Sequence, residues 1–261
     1  MLRLALTARY AAGVVALRRR DVLLTCYPRS GSTLVRFVLE HDARLTAGDA
    51  DPVDFHALNA GQPELGIDWL WPRPAQARIV KTHRAWSPVL ARPRAVLIVR
   101  RPLDAVASYH TYWSGLTHTA ARPLGDFLRD ARRGLPQWVR HTQGWLPHAD
   151  AVVRFEALRT DPAPAVAAVL RLAGRPADPA RLAEAARRAD ARHVRAAQAE
   201  TGFAGTDAFA PGFVFARNLP PGAGAARFSD ADRAWAADLL AASGLDAALP
   251  GLLGPADGPP A

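Results

Sequence analysis

The chain has 261 residues, of which 49% are hydrophobic and 22% charged, a balance typical of globular proteins that excludes wholesale disorder. Its one cysteine, Cys26, excludes a disulfide framework and a cysteine-rich zinc site, and it favours a reducing, cytoplasmic location. Lys and Arg number 33 against 24 Asp and Glu, and the formal net charge of +9 attracts anions without distinguishing nucleotides, nucleic acids and acidic lipids.

The N-terminal segment, residues 1–17, is apolar but is interrupted by Arg3 and Arg9. It is shorter than the roughly 20 residues that a membrane-spanning helix needs, so no membrane span is expected. Three arginines follow it at 18–20, which reverses the order found in signal peptides. We therefore expect an amphipathic N-terminal helix within residues 1–20 that packs on the domain, with a helix lying on a membrane surface as the alternative.

Short apolar runs alternate with helical patterns along the rest of the chain. Strands are predicted over Asp21–Cys26, Arg78–Thr82, Arg94–Arg100 and Ala151–Phe155. Helices are predicted over Thr33–His41, from Pro102 through Tyr109, over Pro164–Ala173, over Pro179–Ala197 after an Asp178 cap, and from a Ser229 cap through Leu239. This alternation predicts an α/β fold with a parallel sheet flanked by helices. We expect one domain over 1–250 and a flexible tail over 251–261.

The segment YPRSGST, residues 27–33, lies between the first strand and the first helix after it. Gly31 can adopt a backbone conformation in which successive N–H groups converge on an anion, Arg29 adds a permanent charge, and the helix adds its positive end. Further donors are the hydroxyls of Ser30, Ser32 and Thr33. The Gly-Lys-Ser/Thr ending of ATPase loops is absent. The segment therefore indicates a phosphate-bearing ligand without a clear metal requirement, and a capped polar turn is the alternative.

Arg100 ends the third predicted strand, at the sheet edge where open α/β folds bind ligands. Ser108 lies eight residues later in the next helix. If that helix folds back beside the strand, both side chains can reach one phosphate. A surface ion pair for Arg100 and a bond to the helix backbone for Ser108 are the alternatives.

Taken together, five segments resemble the PAPS-dependent sulfotransferases in order and spacing. YPRSGST, KTH at 81–83 and RRPLDAVAS at 100–108 are similar to that family's YPKSGTTW, KTH and RNPKDVAVS. RFEAL at 154–158 resembles its RYEDL, and residues 215–229 fit its late FVRKGxxGDWKxxFT stretch. The resemblance implies a P-loop, nucleotide-kinase-like fold that binds PAPS, adenosine 3′-phosphate 5′-phosphosulfate, and releases adenosine 3′,5′-bisphosphate (PAP).

The resemblance also implies a role for each matching residue. Arg29, Ser30, Gly31, Ser32 and Thr33 would hold the 5′-phosphosulfate, Arg100, Ser108 and Arg217 the 3′-phosphate, and Phe155 would line the adenine. His83 would be the general base, with Lys81 and Arg29 as active-site cations and Tyr112 near the acceptor. A histidine suits this role because its ordinary pKa of about 6.5 lets it accept a proton at neutral pH. No metal is expected.

Several positions depart from the family pattern. Arg29 replaces the usual Lys, Leu34 the usual Trp and Phe155 the usual Tyr, while Ala223-Gly224-Ala225 replaces DWK and Asn218-Leu219 replaces Lys-Gly. The change at Arg29 alters the reach of the cation, and the change at Leu34 removes a surface for stacking on the adenine. The changes at 218–219 and 223–225 alter the contacts of the late segment.

Other functions remain open from the residues alone. A P-loop-type kinase would need a Lys-Ser/Thr pair and a downstream Asp that are not evident. A nucleic-acid-binding protein would concentrate basic residues that are here spread along the chain, so nucleic acid is not an expected partner. A catalytically inactive nucleotide binder is a further alternative. The expected partner is a small-molecule acceptor, whose pocket we expect residues 42–77 and 112–147 to shape. Neither the acceptor's identity nor the oligomeric state follows from the sequence.

Overall fold

A parallel sheet with helices on both faces forms the centre of the molecule. The computed structural model describes residues 2–49, 51–68, 76–116, 119–120, 122–201, 209–210, 212–215, 217 and 219–252. The strands are β1 (Val22–Cys26), β2 (Ile79–Thr82), β3 (Arg94–Val99) and β4 (Ala151–Arg154). The helices are α1 (Leu2–Ala16), α2 (Ser32–Thr46), α3 (Phe55–Gly61), α4 (Pro102–Ser114), α5 (Leu124–Arg129), α6 (Leu135–Trp145), α7 (Phe155–Thr160), α8 (Ala163–Leu172), α9 (Pro179–Arg188), α10 (Ala191–Thr201), α11 (Asp230–Ser243) and α12 (Leu245–Ala248).

The strand order is β2-β1-β3-β4, and every neighbouring pair is parallel. Leu24 pairs with Lys81 on one side of β1, and Cys26 pairs with Ile98 on the other. The chain thus passes from β1 to a neighbour on one side and then crosses to a neighbour on the opposite side. Loops that leave the carboxyl ends of β1 and β3 diverge there, which opens the crevice where such sheets bind ligands. The predicted α/β class is confirmed.

The strands are apolar on both faces because helices cover both. Leu23, Val80 and Leu97 belong to one buried cluster, which also holds the fully buried Trp138 and Trp145 of α6. The other face carries its own cluster, which includes Leu24, Val96 and Ile98 of the sheet, Val38 of α2 and Val169 of α8. Two cores of this kind hold the carboxyl edge of the sheet as a rigid platform.

Helix α1 packs against the segment before β2. The Arg9 guanidinium donates to the Ile67 carbonyl at 3.1 Å, and Gly66 lies so close to Tyr10 that an added Cβ would meet the Tyr10 side chain at 3.3 Å. None of the described helices is long and apolar enough to cross a membrane.

The structure corrects some predicted boundaries. The predicted helix over Pro179–Ala197 is two helices, because Asp190 accepts the N–H groups of Arg192 and His193 and so begins a new helix. Phe155 is the first residue of α7 and not the last of β4. Helix α2 continues to Thr46, beyond the predicted His41. The predicted caps are present at Asp178 and Ser229. Most of the predicted tail, residues 253–261, lies outside the described residues.

Candidate active site

A cavity of about 910 Å³ opens at the carboxyl edge of β1, β2 and β3. All the sequence-predicted site residues except Ser30 line it: Arg29, Gly31, Ser32, Thr33, Lys81, His83, Arg100, Ser108, Tyr112, Phe155 and Arg217. Ser30 is only 1% exposed and is buried in the loop beneath the cavity wall. Segments that are far apart in the sequence therefore meet around one volume.

The loop after β1 turns sharply over the end of the sheet. Arg29 has a φ of 67°, which a non-glycine residue seldom adopts, and Gly31 has a φ of 107°. A Cβ at Gly31 would approach the Phe155 ring to 2.6 Å, so the close packing of this ring also requires glycine. The turn ends at Ser32, where α2 begins and directs its free N–H groups at the cavity.

The Arg29 side chain is held by aromatic and backbone groups. Its Nη2 donates to the Phe215 carbonyl at 2.6 Å, and its guanidinium lies 3.8 Å from the Phe215 ring centroid and 5.4 Å from that of Tyr112. Burial and then the charges of Arg100 and Arg217 together lower the pKa of Arg29 to about 9. The site thus concentrates positive charge that favours an anion.

Arg100 and Arg217 add to this positive charge. Arg100 donates from Nη1 to the Arg29 carbonyl at 2.9 Å and lies 4.4 Å from the Phe155 ring centroid, while burial lowers its pKa to about 10. Burial also lowers the pKa of Arg217. Within the described ranges, none of these three arginines forms an ion pair with a carboxylate. Three buried atoms of the site have no hydrogen-bond partner among the described residues: Nε of Arg29, Nε of Arg100 and Oγ of Ser30.

His83 lies on the cavity wall just after β2. Its Nδ1 is 2.8 Å from the Cys26 carbonyl oxygen, and because a carbonyl only accepts, we assign the proton to Nδ1 and a free lone pair to Nε2. Burial and then the nearby Lys81 lower the pKa of His83 to about 4, although Glu64 opposes the shift. The imidazole is therefore neutral at pH 7 and able to accept a proton.

Lys81 and Glu64 form an ion pair beside His83. Lys81 Nζ lies 2.7 Å from Glu64 Oε2. Burial raises the pKa of Glu64, but Lys81 and His83 outweigh it and lower the pKa to about 2, so the carboxylate stays ionised. Lys81 thus faces the cavity as predicted, but with a carboxylate partner that the sequence did not indicate.

A second chamber of about 210 Å³ lies against the same wall. Pro28, Glu64, Ile67, His83 and Tyr109 line both chambers. Apart from the buried Ser30, the predicted phosphate-binding residues line only the larger chamber. His83 consequently lies on a wall that the two chambers share.

The family assignment follows from comparison with known proteins. A model of the sulfotransferase domain matches residues 19–201. The chain belongs to the sulfotransferase family. No curated protein shows significant sequence similarity to it.

Solved structures with the same fold are themselves bound to PAP. Retinol dehydratase in complex with retinol and PAP has a TM-score of 0.67 and 16% identity, over 88% of this chain and 82% of that chain. Retinol dehydratase with androsterone and inactive cofactor PAP has the same score and identity, over 92% and 86%. Mouse sulfotransferase SULT7A1 complexed with PAP has a TM-score of 0.65 and 16% identity, over 90% and 89%. This sulfotransferase therefore shares the P-loop-like fold of those enzymes.

Several residues of this site were missed by sequence reasoning. Glu64 is a single residue in an irregular segment and carries no local pattern, whereas Phe215 begins the late segment at 215–229 but was given no role. Asp104 lies inside the RRPLDAVAS segment, yet only its neighbours Arg100 and Ser108 were assigned. Trp86 and Trp113 line neither chamber.

Asp104 holds the late segment of the sulfotransferase against α4. Its buried carboxylate accepts the backbone N–H groups of Gly222 at 2.8 Å, Gly224 at 2.8 Å and Ala225 at 3.1 Å. Gly224 lies so close that an added Cβ would meet the Asp104 Cα at 2.7 Å. Arg227 follows directly and donates to Thr111 Oγ1 at 3.0 Å, so this contact fixes the segment that carries cavity-lining cations.

We expect Asp104→Ala to lower the free energy of unfolding by about 2 kcal/mol or more, because three backbone donors lose a charged acceptor. PAP affinity should fall as well, since the segment beside Arg217 loses its anchor. Urea unfolding and calorimetry measure the two effects. Asp238→Ala, an exposed carboxylate on α11, is the matched control. An unfolding free energy equal to that of the wild type would contradict this role for Asp104.

Proposed function

We propose that the protein transfers a sulfuryl group from PAPS to a hydroxyl or amine of a small-molecule acceptor, with His83 as general base. One observation carries the proposal: among the described residues, Arg29, Arg100 and Arg217 form no ion pair with a carboxylate, and they line the same cavity as a neutral histidine with no hydrogen bond at Nε2. These arginines favour a multiply charged anion, and the histidine favours proton removal at the adjoining wall. Family membership and the PAP-bound relatives of similar fold support the same reading.

The donor set fits a nucleotide with two separate phosphate positions. We assign the 5′-phosphosulfate to Arg29 and the N-terminus of α2, with the loop hydroxyls, and the 3′-phosphate to Arg100, Ser108 and Arg217. The buried Nε atoms of Arg29 and Arg100 offer donors that no described protein group uses. The Phe155 ring, which packs on Gly31 and under Arg100, offers an aromatic face for the adenine.

His83 and the cations divide the chemistry between them. When bound, PAPS would supply an electrophilic sulfur: the acceptor's O–S or N–S bond forms as the S–O bond to the 5′-phosphate breaks. His83 Nε2 accepts the proton that the acceptor loses, and Nδ1–H stays on the Cys26 carbonyl, which holds the ring in place. Arg29 and the N–H groups of the loop neutralise the charge that grows on the leaving phosphate. Lys81, oriented by Glu64, adds positive charge beside the transferred group.

The proposal is tested by comparing PAP with AMP in calorimetry. Because a charge-assisted hydrogen bond contributes about 1.5–3 kcal/mol, we expect PAP to bind at least about tenfold more tightly than AMP. Turnover with labelled PAPS and a panel of phenols, alcohols and amines then identifies transfer. Equal affinity for PAP and AMP would overturn the assignment of Arg100, Ser108 and Arg217.

Chelation separates this proposal from a kinase. The loop after β1 lacks the Lys-Ser/Thr that positions magnesium in P-loop kinases, and arginines can neutralise the phosphate charge instead. We therefore expect EDTA to leave turnover essentially unchanged. Loss of turnover on chelation and its recovery with magnesium would favour the kinase. A cytoplasmic location remains a prediction from the single cysteine.

A further inference from the structure

The smaller chamber beside His83 carries more charge than an acceptor site for neutral alcohols would need. Besides the walls that it shares with the larger cavity, it is lined by Leu65, Arg84, Arg132 and Gln137. Leu65, Ile67 and Tyr109 give it apolar surface, while Arg84 and Arg132 are exposed. The chamber therefore combines apolar walls with two exposed cations, which we call the rim arginines.

Neither rim arginine has its charge neutralised within the described part of the chain. Arg84 lies 4.8 Å from the Tyr10 ring centroid, and its backbone is fixed because its carbonyl accepts Trp145 Nε1–H at 2.8 Å. The nearest acid to Arg132 in sequence is Asp130, which is already bridged by Arg122 at 2.5 Å and Arg133 at 3.5 Å.

The acidic groups of the nearby wall are likewise engaged. Glu64 is neutralised by Lys81. Asp68 lines the larger cavity and not the chamber, and its Oδ2 accepts the Glu64 N–H at 2.7 Å. The chamber thus has excess positive charge from Arg84 and Arg132, which line it together with His83.

We propose that the acceptor is a small molecule with a single ring and an anionic group, which Arg84 and Arg132 bind while His83 receives the proton of its hydroxyl. This inference rests on the proposed function. A volume of about 210 Å³ suits such a molecule, since a cavity of about 150 Å³ holds benzene. The apolar walls receive the ring, and guanidinium groups bind carboxylates through paired hydrogen bonds.

The test compares two matched phenols, 3-(4-hydroxyphenyl)propanoate and its neutral primary amide. Binding to the PAP-saturated protein is measured by calorimetry, and kcat/KM is measured with PAPS. We expect the carboxylate to be preferred about tenfold in both, because the amide loses charge-assisted hydrogen bonds of similar geometry. Arg132→Gln and Arg84→Gln should each reduce the preference severalfold and leave PAP affinity unchanged. Arg92→Gln, an exposed arginine before the amino end of β3, should change neither.

Each outcome decides the proposal. The anionic acceptor is overturned if the amide performs as well as the carboxylate or better, or if neither compound binds. It is also overturned if both variants retain the wild-type preference for the carboxylate. Tight PAP binding alongside any of these results leaves the sulfotransferase proposal standing. Failure of the protein to bind PAP at all removes both proposals.

Discussion

His83→Ala should slow turnover by about 10²–10⁴-fold and leave PAP affinity unchanged. The size of the loss is the usual contribution of a general base, and PAP affinity is kept because we assign the nucleotide to the arginines and not to His83. Single-turnover rates with labelled PAPS and calorimetry with PAP measure the two quantities. His56→Ala, an exposed histidine on α3, is the matched control. A His83→Ala protein that keeps more than about a third of the wild-type rate is not missing a general base.

The pH profile tests the same residue without a mutation. Burial lowers the pKa of His83 to about 4, so the neutral, competent form predominates above that pH and is lost as the pH falls through about 4. We expect kcat/KM to be flat between pH 6 and 8 with an alcohol acceptor, because this ratio reports the free enzyme. A histidine with the ordinary pKa of about 6.5 would lose about three-quarters of its neutral form at pH 6. A fall of that size would contradict the environment described for His83.

Arg100→Gln should weaken PAP binding by about 10- to 100-fold and AMP binding far less. Its guanidinium is the buried cation that we assign to the 3′-phosphate, and a charge-assisted hydrogen bond contributes about 1.5–3 kcal/mol. Calorimetry with both nucleotides gives the ratio of affinities, which is insensitive to a general loss of fold. Arg94→Gln, at the exposed amino end of the same strand, is the control. If the ratio of PAP to AMP affinity is the same in Arg100→Gln as in the wild type, the 3′-phosphate is bound elsewhere.

The strands and the loop after β1 could be predicted because their determinants are local. Each strand is an apolar run, and Gly31 marks the turn that carries Arg29 into the cavity. The joint placement of Arg100 and Ser108 in the cavity could be predicted as well, because Arg100 ends a strand and Ser108 lies on the helix that follows it directly.

Contacts between distant segments could not be predicted in the same way. Glu64 reaches Lys81 only because the segment before β2 folds alongside that strand, and no pattern in residues 42–77 signals this. Asp104 meets Gly222 and Gly224 across 118 and 120 positions of the chain. The break between α9 and α10 was missed because Asp190 looks like an ordinary helical surface residue until its cap is seen.

The contact between Arg29 and Phe215 joins the first nucleotide loop to a segment 186 residues later. Phe215 supplies both the carbonyl that Arg29 donates to and the ring that it lies against. Any displacement of residues 212–215 therefore deprives Arg29 of both supports at once and exposes the guanidinium to water. A buried cation is a stronger electrostatic partner than a solvated one, so we expect displacement of this segment to weaken the binding of the nucleotide that we assign to Arg29.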